Sequence, residues 1–447
     1  MAIAFFRFAG KGAHDKDKVF GTALISVLVI SLCTGIGLSL FADEVASAVS
    51  QPGKGQWVRL LGWVLAIDAI AYLPLARLRF DERPRTFAGI QITEILLNLG
   101  LNVFFLGFCK PAYENGGSDL LASLYNPSIG VGYIFISNLL ASLLKFCLLL
   151  PVLKRFRLSF SFDLWKKMFS YAFPLVIVGF AGMINELLDR VVLVYLLPHD
   201  LDTNNYFLGL YGANYKIAMF MALLIQAFRY AADPYFLSKP EDKSTHPLIA
   251  QSLTIFAALG GFIFLGVTLF MPLVRYFIAP EYWMGLHIVP ILLYANLFLG
   301  VVVNLGIWYK ISDKTWLGAY ITLLGAAITI LANCYLVPRV GMVGAAWSTA
   351  LAYGVIAVLS AIIGRRYLSI PYQWGRLAIY LVLPFALYGV VTYCVTGQFG
   401  DLVGYSNTPS FLSYALGGIF LYGMLAVLLE RSTLLKLLRQ SPKRTST

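Results

Sequence analysis

Residues 211–236 read YGANYKIAMFMALLIQAFRYAADPYF. Apolar and aromatic side chains fill this stretch, and only Lys216, Arg229 and Asp233 carry charge. A helix of about 20 such residues, rising 1.5 Å per residue, spans the hydrocarbon core of a bilayer. The rest of the chain is written the same way. Of its 447 residues 59% are hydrophobic, 15% aromatic and 13% charged, and mean hydropathy is +0.76. Soluble domains carry about 25% charged residues. The composition therefore excludes a soluble globule. Twelve segments meet the length rule: 20–41, 57–77, 86–109, 127–150, 169–197, 206–235, 248–273, 286–308, 316–337, 341–363, 377–396 and 410–429. The gaps between them are too short for a soluble catalytic domain.

Net charge is +12. The basic residues lie in short loops, so they read as topology signals and not as a nucleic-acid surface. With the N-terminus taken as cytoplasmic, alternate loops and the tail hold 25 Lys and Arg on that side. The other side holds four, namely Lys54, Lys110, Arg275 and Arg339. This asymmetry predicts that both termini are cytoplasmic. Cys33, Cys109, Cys147, Cys334 and Cys394 lie in or beside apolar runs with no C-x-x-C pair. They predict neither a disulfide framework nor a zinc site. The four histidines, including His14, are scattered, no Walker-type G-x-x-x-x-G-K-[ST] occurs, and H-E-x-x-H is absent. No cofactor or metal is expected, and no enzymatic activity.

The chain contains echoes of itself. AFFRFA (4–9) resembles AFRYAA (227–232), TFAGIQIT (86–93) resembles TWLGAYIT (315–322), and VGYIFIS (131–137) loosely matches VGAAWS (343–348). The pairs keep their order and spacing, which predicts two parallel repeats, a common transporter plan. Two helices precede AFRYAA and none precedes AFFRFA. That predicts two further helices encoded upstream of Met1, with AFFRFA as the end of the second.

Ionisable residues at membrane depth face a cavity or a partner. Asp68 and Glu94 fall at similar depth on consecutive segments, and Glu94, Asn98 and Asn102 form one stripe at i, i+4 and i+8. The stripe reads either as a cavity wall with a proton or sodium site or as a polar network that locks packing. Asn185, Glu186, Asp189 and Arg190 cluster on a later segment, with Asn214 and Lys216 level with them on the next. Glu186 can pair with Arg190 four residues on, and Lys216 can pair with Glu186 or face a ligand. Arg229 and Asp233, again four apart, read as an interfacial ion pair. Lys145 and Arg59 lie nearer the membrane edges and read as snorkelling side chains.

AFFRFAGKG (4–12), AGMINELLDRVVL (181–193), residues 211–236 and GMVGAAWSTALAY (341–353) resemble the Wzx-like lipid-linked oligosaccharide flippases. These polysaccharide-biosynthesis membrane proteins belong to the superfamily of MATE exporters and lipid II flippases (MOP). The resemblance covers essentially the whole chain. It implies an all-α bundle of two six-helix lobes with two extra helices, fourteen in all, against twelve here. On that plan 1–150 is an incomplete N-terminal lobe (family helices 3–6) and 151–168 a basic cytoplasmic linker. Residues 169–363 are the C-terminal lobe, 377–429 the extra pair and 430–447 a basic cytoplasmic tail.

The implied function is transfer of a polyprenyl-diphosphate-linked oligosaccharide across a bacterial cytoplasmic (inner) membrane for polysaccharide biosynthesis. Its partners would be that lipid-linked glycan, the lipid bilayer, and a polysaccharide polymerase with other assembly proteins. Expected substrate-binding residues are Arg190, Lys216, Glu186, Asn185, Asn214 and Arg229. Expected ion-coupling residues are Asp68, Glu94 and Asp189. A MATE-like small-molecule antiporter and a non-transporting component of an assembly complex are the alternatives.

Overall fold

A computed structural model describes residues 1–10, 15–48, 53–115, 120–154, 159–238, 244–396 and 409–431. His14, residues 155–158 of the basic linker and residues 432–447 of the basic tail lie outside the described residues. The described residues form helices and no β-strand. Among the described residues, eleven helices are long and apolar enough to cross a membrane. The chain is a multi-pass membrane protein.

The chain begins with α1 (Ala2–Gly10), α2 (Lys16–Leu40), α3 (Ala42–Ala48), α4 (Gly55–Phe80), α5 (Pro84–Glu114) and α6 (Gly130–Leu153). There follow α7 (Phe162–Leu196), α8 (Leu201–Ser238), α9 (Thr245–Leu269) and α10 (Pro280–Ile311). The helical run Thr315–Tyr367 then supplies α11 (315–340) and α12 (342–367), before α13 (Trp374–Thr396) and α14 (Pro409–Leu429).

The run Thr315–Tyr367 accounts for the difference between twelve apolar segments and eleven helices. Its hydrogen bonding is continuous enough to count as one helix, yet Gly341 has φ 59° and ψ −137°. A Cβ at Gly344 would lie 2.7 Å from the Leu336 backbone, and one at Gly325 would lie 2.1 Å from Ile356. In a straight helix residues 325 and 356 would be about 46 Å apart. The run is therefore a hairpin, and both sequence segments are separate crossings. A side chain at Gly341 would meet nothing closer than Leu197, at 3.9 Å. Substitution there acts through the backbone alone. We expect Gly341→Ala to cost about 1–3 kcal/mol, read as a lower thermal unfolding midpoint of the detergent-solubilised protein. An unchanged midpoint would refute the tight reversal at this residue.

The chain clusters into two compact units. Unit 1 is Met1–Ala172 with Asp233–Pro240, and unit 2 is Phe173–Ala232 with Glu241–Thr447. The chain passes from one to the other inside α7 and inside α8, and Pro174 and Pro234 each follow such a crossing by two residues.

In unit 1, α4 packs against α2 and α6, and α5 against α6. Ala71, Leu75, Leu78, Ile90 and Leu149 form an apolar core between α4, α5 and α6. One end of the unit is an aromatic and cationic knot. Phe5 and Phe6 are fully buried. Arg77 lies over Phe5 and Phe20 and pairs with Asp17 (3.1 Å) and Asp81 (2.9 Å). A buried guanidinium needs such partners, because an uncompensated charge in an apolar core is costly. Residues 159–165 are tied to α2. Ser161 N donates to Thr22 Oγ1 (3.3 Å), and Trp165 Nε1 to Ser26 Oγ (3.1 Å). The α1 end packs backbone to backbone with the α8 end, since a Cβ at Gly10 would meet Ser238 at 2.2 Å. Helix α8 runs to Ser238, three residues beyond the predicted segment 206–235. The first turn of that helix is capped by Asp200, whose carboxylate accepts from Thr203 N and Oγ1.

Unit 2 holds the largest core, built from Leu210, Tyr211, Met221, Phe256, Phe264, Leu292, Leu297 and many others of α7–α14. Tyr422 Oη of α14 donates to Ala258 O of α9 (2.9 Å), and Trp308 Nε1 of α10 to Ser360 Oγ of α12 (2.9 Å). Each polar tip on these large rings thus finds a partner within the apolar interior.

Candidate functional site

Each unit contains one polar network at the middle of its helices. In unit 1 the turn at Asp81 sets the register. Asp68 lies thirteen residues before it and Glu94 thirteen after, so the two are level on α4 and α5. Both converge on Lys145 of α6. Its Nζ is 2.6 Å from Glu94 Oε1 and 2.9 Å from Asp68 Oδ1. Side-chain exposure is 8% for Lys145, 19% for Glu94 and 39% for Asp68. The polar stripe continues along α5. Asn98 Nδ2 donates to Asn138 Oδ1 of α6, and Asn102 Nδ2 donates to Asn98 Oδ1 (2.6 Å).

The sequence reading of Lys145 as a snorkelling residue is corrected by this geometry. Lys145 is eight residues from Leu153 at the end of α6, about 12 Å, too far for its side chain to reach the edge. That distance was available in the sequence. Arg59, the other residue read as snorkelling, pairs with Asp43 at 2.9 Å, with both side chains largely exposed.

In unit 2, Asn185 and Asp189 sit one turn apart on α7 and face Thr329 and Asn333, one turn apart on α11. Asn185 Oδ1 accepts from Thr329 Oγ1 (2.8 Å) and Asp189 Oδ1 from Asn333 Nδ2 (3.1 Å). Asp189 Oδ2 accepts from Tyr211 Oη of α8 (2.7 Å) and from Thr349 Oγ1 of α12 (2.7 Å). The carboxyl group is 1% exposed. Asn333 Oδ1 and Asn185 Nδ2 are buried without a hydrogen-bond partner among the described residues. The site thus gathers carboxylate, amide and hydroxyl oxygens from α7, α11 and α12, a donor set suited to a hard monovalent cation or a proton.

The cationic side of the predicted cluster is arranged differently from the expectation. Arg190 is half-buried and lies over the Tyr215 ring, 5.1 Å from its centroid. Tyr215 is in turn hydrogen-bonded to Asn296 of α10. Glu186 and Lys216 are exposed, and neither has an ion-pair partner among the described residues. The expected Glu186–Arg190 and Glu186–Lys216 pairs are therefore not formed. Arg190 is held on the Tyr215 ring, and for Lys216 the physical reason is angular. Successive helical residues turn by about 100°, so Tyr215 faces Arg190 while Lys216 points past it.

Asn214 turns the other way. It is buried, and its Nδ2 donates to Leu210 O (2.8 Å) and to Tyr282 O (2.9 Å) at the start of α10. Arg229 is exposed and lies fourteen residues beyond Tyr215, about 21 Å along α8. The structure thus brings Asn185, Asp189 and Arg190 into one region and leaves Asn214 and Arg229 outside it. Sequence reasoning missed Tyr211, Tyr215, Thr329, Asn333 and Thr349. A separate apolar groove of about 460 Å³ runs along α12 and α10, lined by Phe298, Trp347, Leu351, Gly354 and Val358 among others.

No family model matches the chain. A curated relative, described as the probable low-salt glycan biosynthesis flippase Agl15 of Haloferax volcanii, is 23% identical over 274 residues. The match takes in 60% of this chain and 56% of that protein, so the chain spans about half the length of the curated relative it matches. Among solved structures, lipid II flippase MurJ in an inward closed conformation aligns with a TM-score of 0.61 at 16% identity. That alignment covers 97% of this chain and 88% of MurJ. A MATE transporter in its straight conformation aligns with a TM-score of 0.67 at 13% identity, covering 85% and 82%. The fold is therefore the one shared by MurJ and MATE transporters, as the sequence implied. The named relatives are flippases and transporters, and none is an enzyme.

Proposed function

We propose that the chain is a flippase for a polyprenyl-diphosphate-linked oligosaccharide in a bacterial cytoplasmic membrane, with both termini cytoplasmic. The observation that carries this reading is Arg190. It is a half-buried guanidinium at membrane depth, held on an aromatic face with no carboxylate at ion-pair distance among the described residues. A guanidinium so placed is ready to take phosphate oxygens by charge-assisted, bidentate hydrogen bonds. Lys216 adds a second, exposed cation on the neighbouring helix, and Glu186 and Asn185 flank Arg190. The basic excess of one set of loops supports the orientation. The fold and the glycan-flippase relative support the activity and the substrate class. The separate apolar groove along α12 and α10 has the lining an isoprenoid tail requires. A polysaccharide polymerase and other assembly proteins would use the product.

The chain carries no Walker-type nucleotide motif, so transport draws on an ion, the membrane potential or the substrate gradient. Each elementary charge moved is worth about 2.3 kcal/mol per 100 mV. Asp189 is the carboxylate that binds the coupling cation in unit 2, and Asp68 and Glu94 serve the same coupling in unit 1.

The test is glycan export in cells lacking their own flippase, with membrane protein level measured alongside. Arg190→Ala is expected to lower export at least tenfold at unchanged protein level. Arg190→Lys is expected to recover only part of it, because an ammonium loses the bidentate geometry. Wild-type export by Arg190→Ala at normal protein level would remove Arg190 from the site.

A further inference from the structure

Two of the four histidines that lie scattered in the sequence come together in unit 2. His199 and His287 line one cavity of about 200 Å³, together with Met342, Phe207 and the backbone at Gly341. The transport reading makes no use of this cavity. We propose that it binds a soft monovalent transition-metal ion, Cu(I), held by the two imidazoles and the Met342 thioether. The inference is independent of the transport reading.

The cavity is assembled from three places far apart in the chain. His199 lies in the turn between α7 and α8, His287 in the 3-10 turns that open α10, and Met342 at the tip of the α11–α12 hairpin. Gly341 brings Met342 to the cavity by reversing the chain. A Cβ there would project toward Leu197, another residue of the cavity wall, 3.9 Å away. Both histidines are exposed, so an ion arriving from water reaches them. His287 Nδ1 lies 2.9 Å from Met284 O. A carbonyl only accepts, so Nδ1 carries the proton and Nε2 keeps its lone pair. Metal-binding histidines are oriented in this way, through the ring nitrogen that does not touch the metal. The His199 ring packs against Phe207, with centroids 5.7 Å apart, which limits its rotation.

The donor set selects the ion. Among the described residues no three His, Cys, Asp or Glu side chains gather as metal ligands, whereas a structural zinc site takes four. The third donor at this cavity is a thioether, a soft ligand that favours Cu(I), and imidazole suits copper equally. Two or three neutral donors satisfy a d10 ion of single charge. The neighbouring charges are already engaged. Asp200, next to His199, accepts from Thr203 N and Oγ1 as the cap of α8. Arg339 lies over the Tyr335 ring at 3.8 Å and donates to the Tyr335 carbonyl. The remaining walls are apolar, and a monovalent ion brings less uncompensated charge into such a cavity than a divalent one. A bound ion would join the α7–α8 turn, the start of α10 and the hairpin tip.

The experiment uses the tag-free full chain in detergent, carrying Cys33→Ala, Cys147→Ala, Cys334→Ala and Cys394→Ala, because these exposed thiols bind copper themselves. Cu(I) is supplied with excess ascorbate under argon. Equilibrium dialysis should find one ion per chain, and X-ray absorption at the copper edge should show two imidazole nitrogens and one sulfur around it. His199→Ala and His287→Ala should each weaken binding by about tenfold or more. Met342→Leu should remove the sulfur, and it conserves volume, so the fold is kept. Zn(II) should bind more weakly than Cu(I). Cu(I) should raise the thermal midpoint of the parent and leave that of the double histidine variant unchanged. The proposal is overturned if the double histidine variant binds Cu(I) as the parent does, if the sulfur survives Met342→Leu, or if Zn(II) binds more tightly. The ligand set is read on the folded parent, so the absence of nitrogen and sulfur from it overturns the proposal without any variant. None of these measurements involves Arg190 or export, so this inference and the transport reading fail separately.

Discussion

Replacing Lys145 by Met should remove most of the protein from the membrane. The substitution leaves Asp68 and Glu94 facing each other without the ammonium that now lies 2.9 and 2.6 Å from them. Breaking a buried ion pair by deleting one partner costs about 3–5 kcal/mol, against a total stability of about 5–15 kcal/mol for a typical domain. Neutralising the carboxylates should reverse the loss. A triple variant, Lys145→Met with Asp68→Asn and Glu94→Gln, is expected to accumulate to near the wild-type level. The measurement is membrane abundance together with the thermal midpoint of the solubilised protein. Normal abundance of Lys145→Met alone would mean that the triad is not the packing centre of unit 1.

Asp189→Asn should abolish transport while the protein still accumulates. Asparagine keeps the shape of the side chain and one carbonyl oxygen to accept from Tyr211 or Thr349, but it cannot carry the negative charge that a coupling cation requires. Asp189→Ala should add a folding defect. It strands the Tyr211 and Thr349 hydroxyls and the Asn333 amide in a buried site, where each unsatisfied group costs about 1–3 kcal/mol. Export and protein level measured together separate the two effects. Asp189→Asn with wild-type export would place the coupling ion elsewhere. Export lost only in proportion to protein level would make the network purely structural.

The membrane crossings were legible in the sequence because each depends on a local run of apolar residues. The hairpin at Gly341 is a case in point. Segments 316–337 and 341–363 were separable by hydropathy although the helix hydrogen bonding nearly joins them. Asp68 and Glu94 were legible as a level pair because one short turn fixes their register. The depth of Lys145 was legible from its distance to the end of α6, but its partners were not, since it lies 51 residues beyond Glu94 on another helix. Asp189 stood out as a charge at depth, but Asn333 and Thr349 lie 144 and 160 residues away and reach it only once the α11–α12 hairpin has folded. Asn214 shows the opposite error. Matching depth suggested membership of the Arg190 cluster, whereas the helical angle turns its side chain toward Tyr282 instead.

The most direct test of the proposed activity is reconstitution of the purified chain in proteoliposomes with a fluorescent polyprenyl-diphosphate-linked oligosaccharide. Loss of fluorescence to a quencher added outside reports the fraction of headgroups that have crossed. All of the lipid should become accessible, faster than in protein-free vesicles, and Arg190→Ala and Asp189→Asn vesicles should fall back to the protein-free rate. Wild-type vesicles that quench no faster than protein-free ones would contradict it.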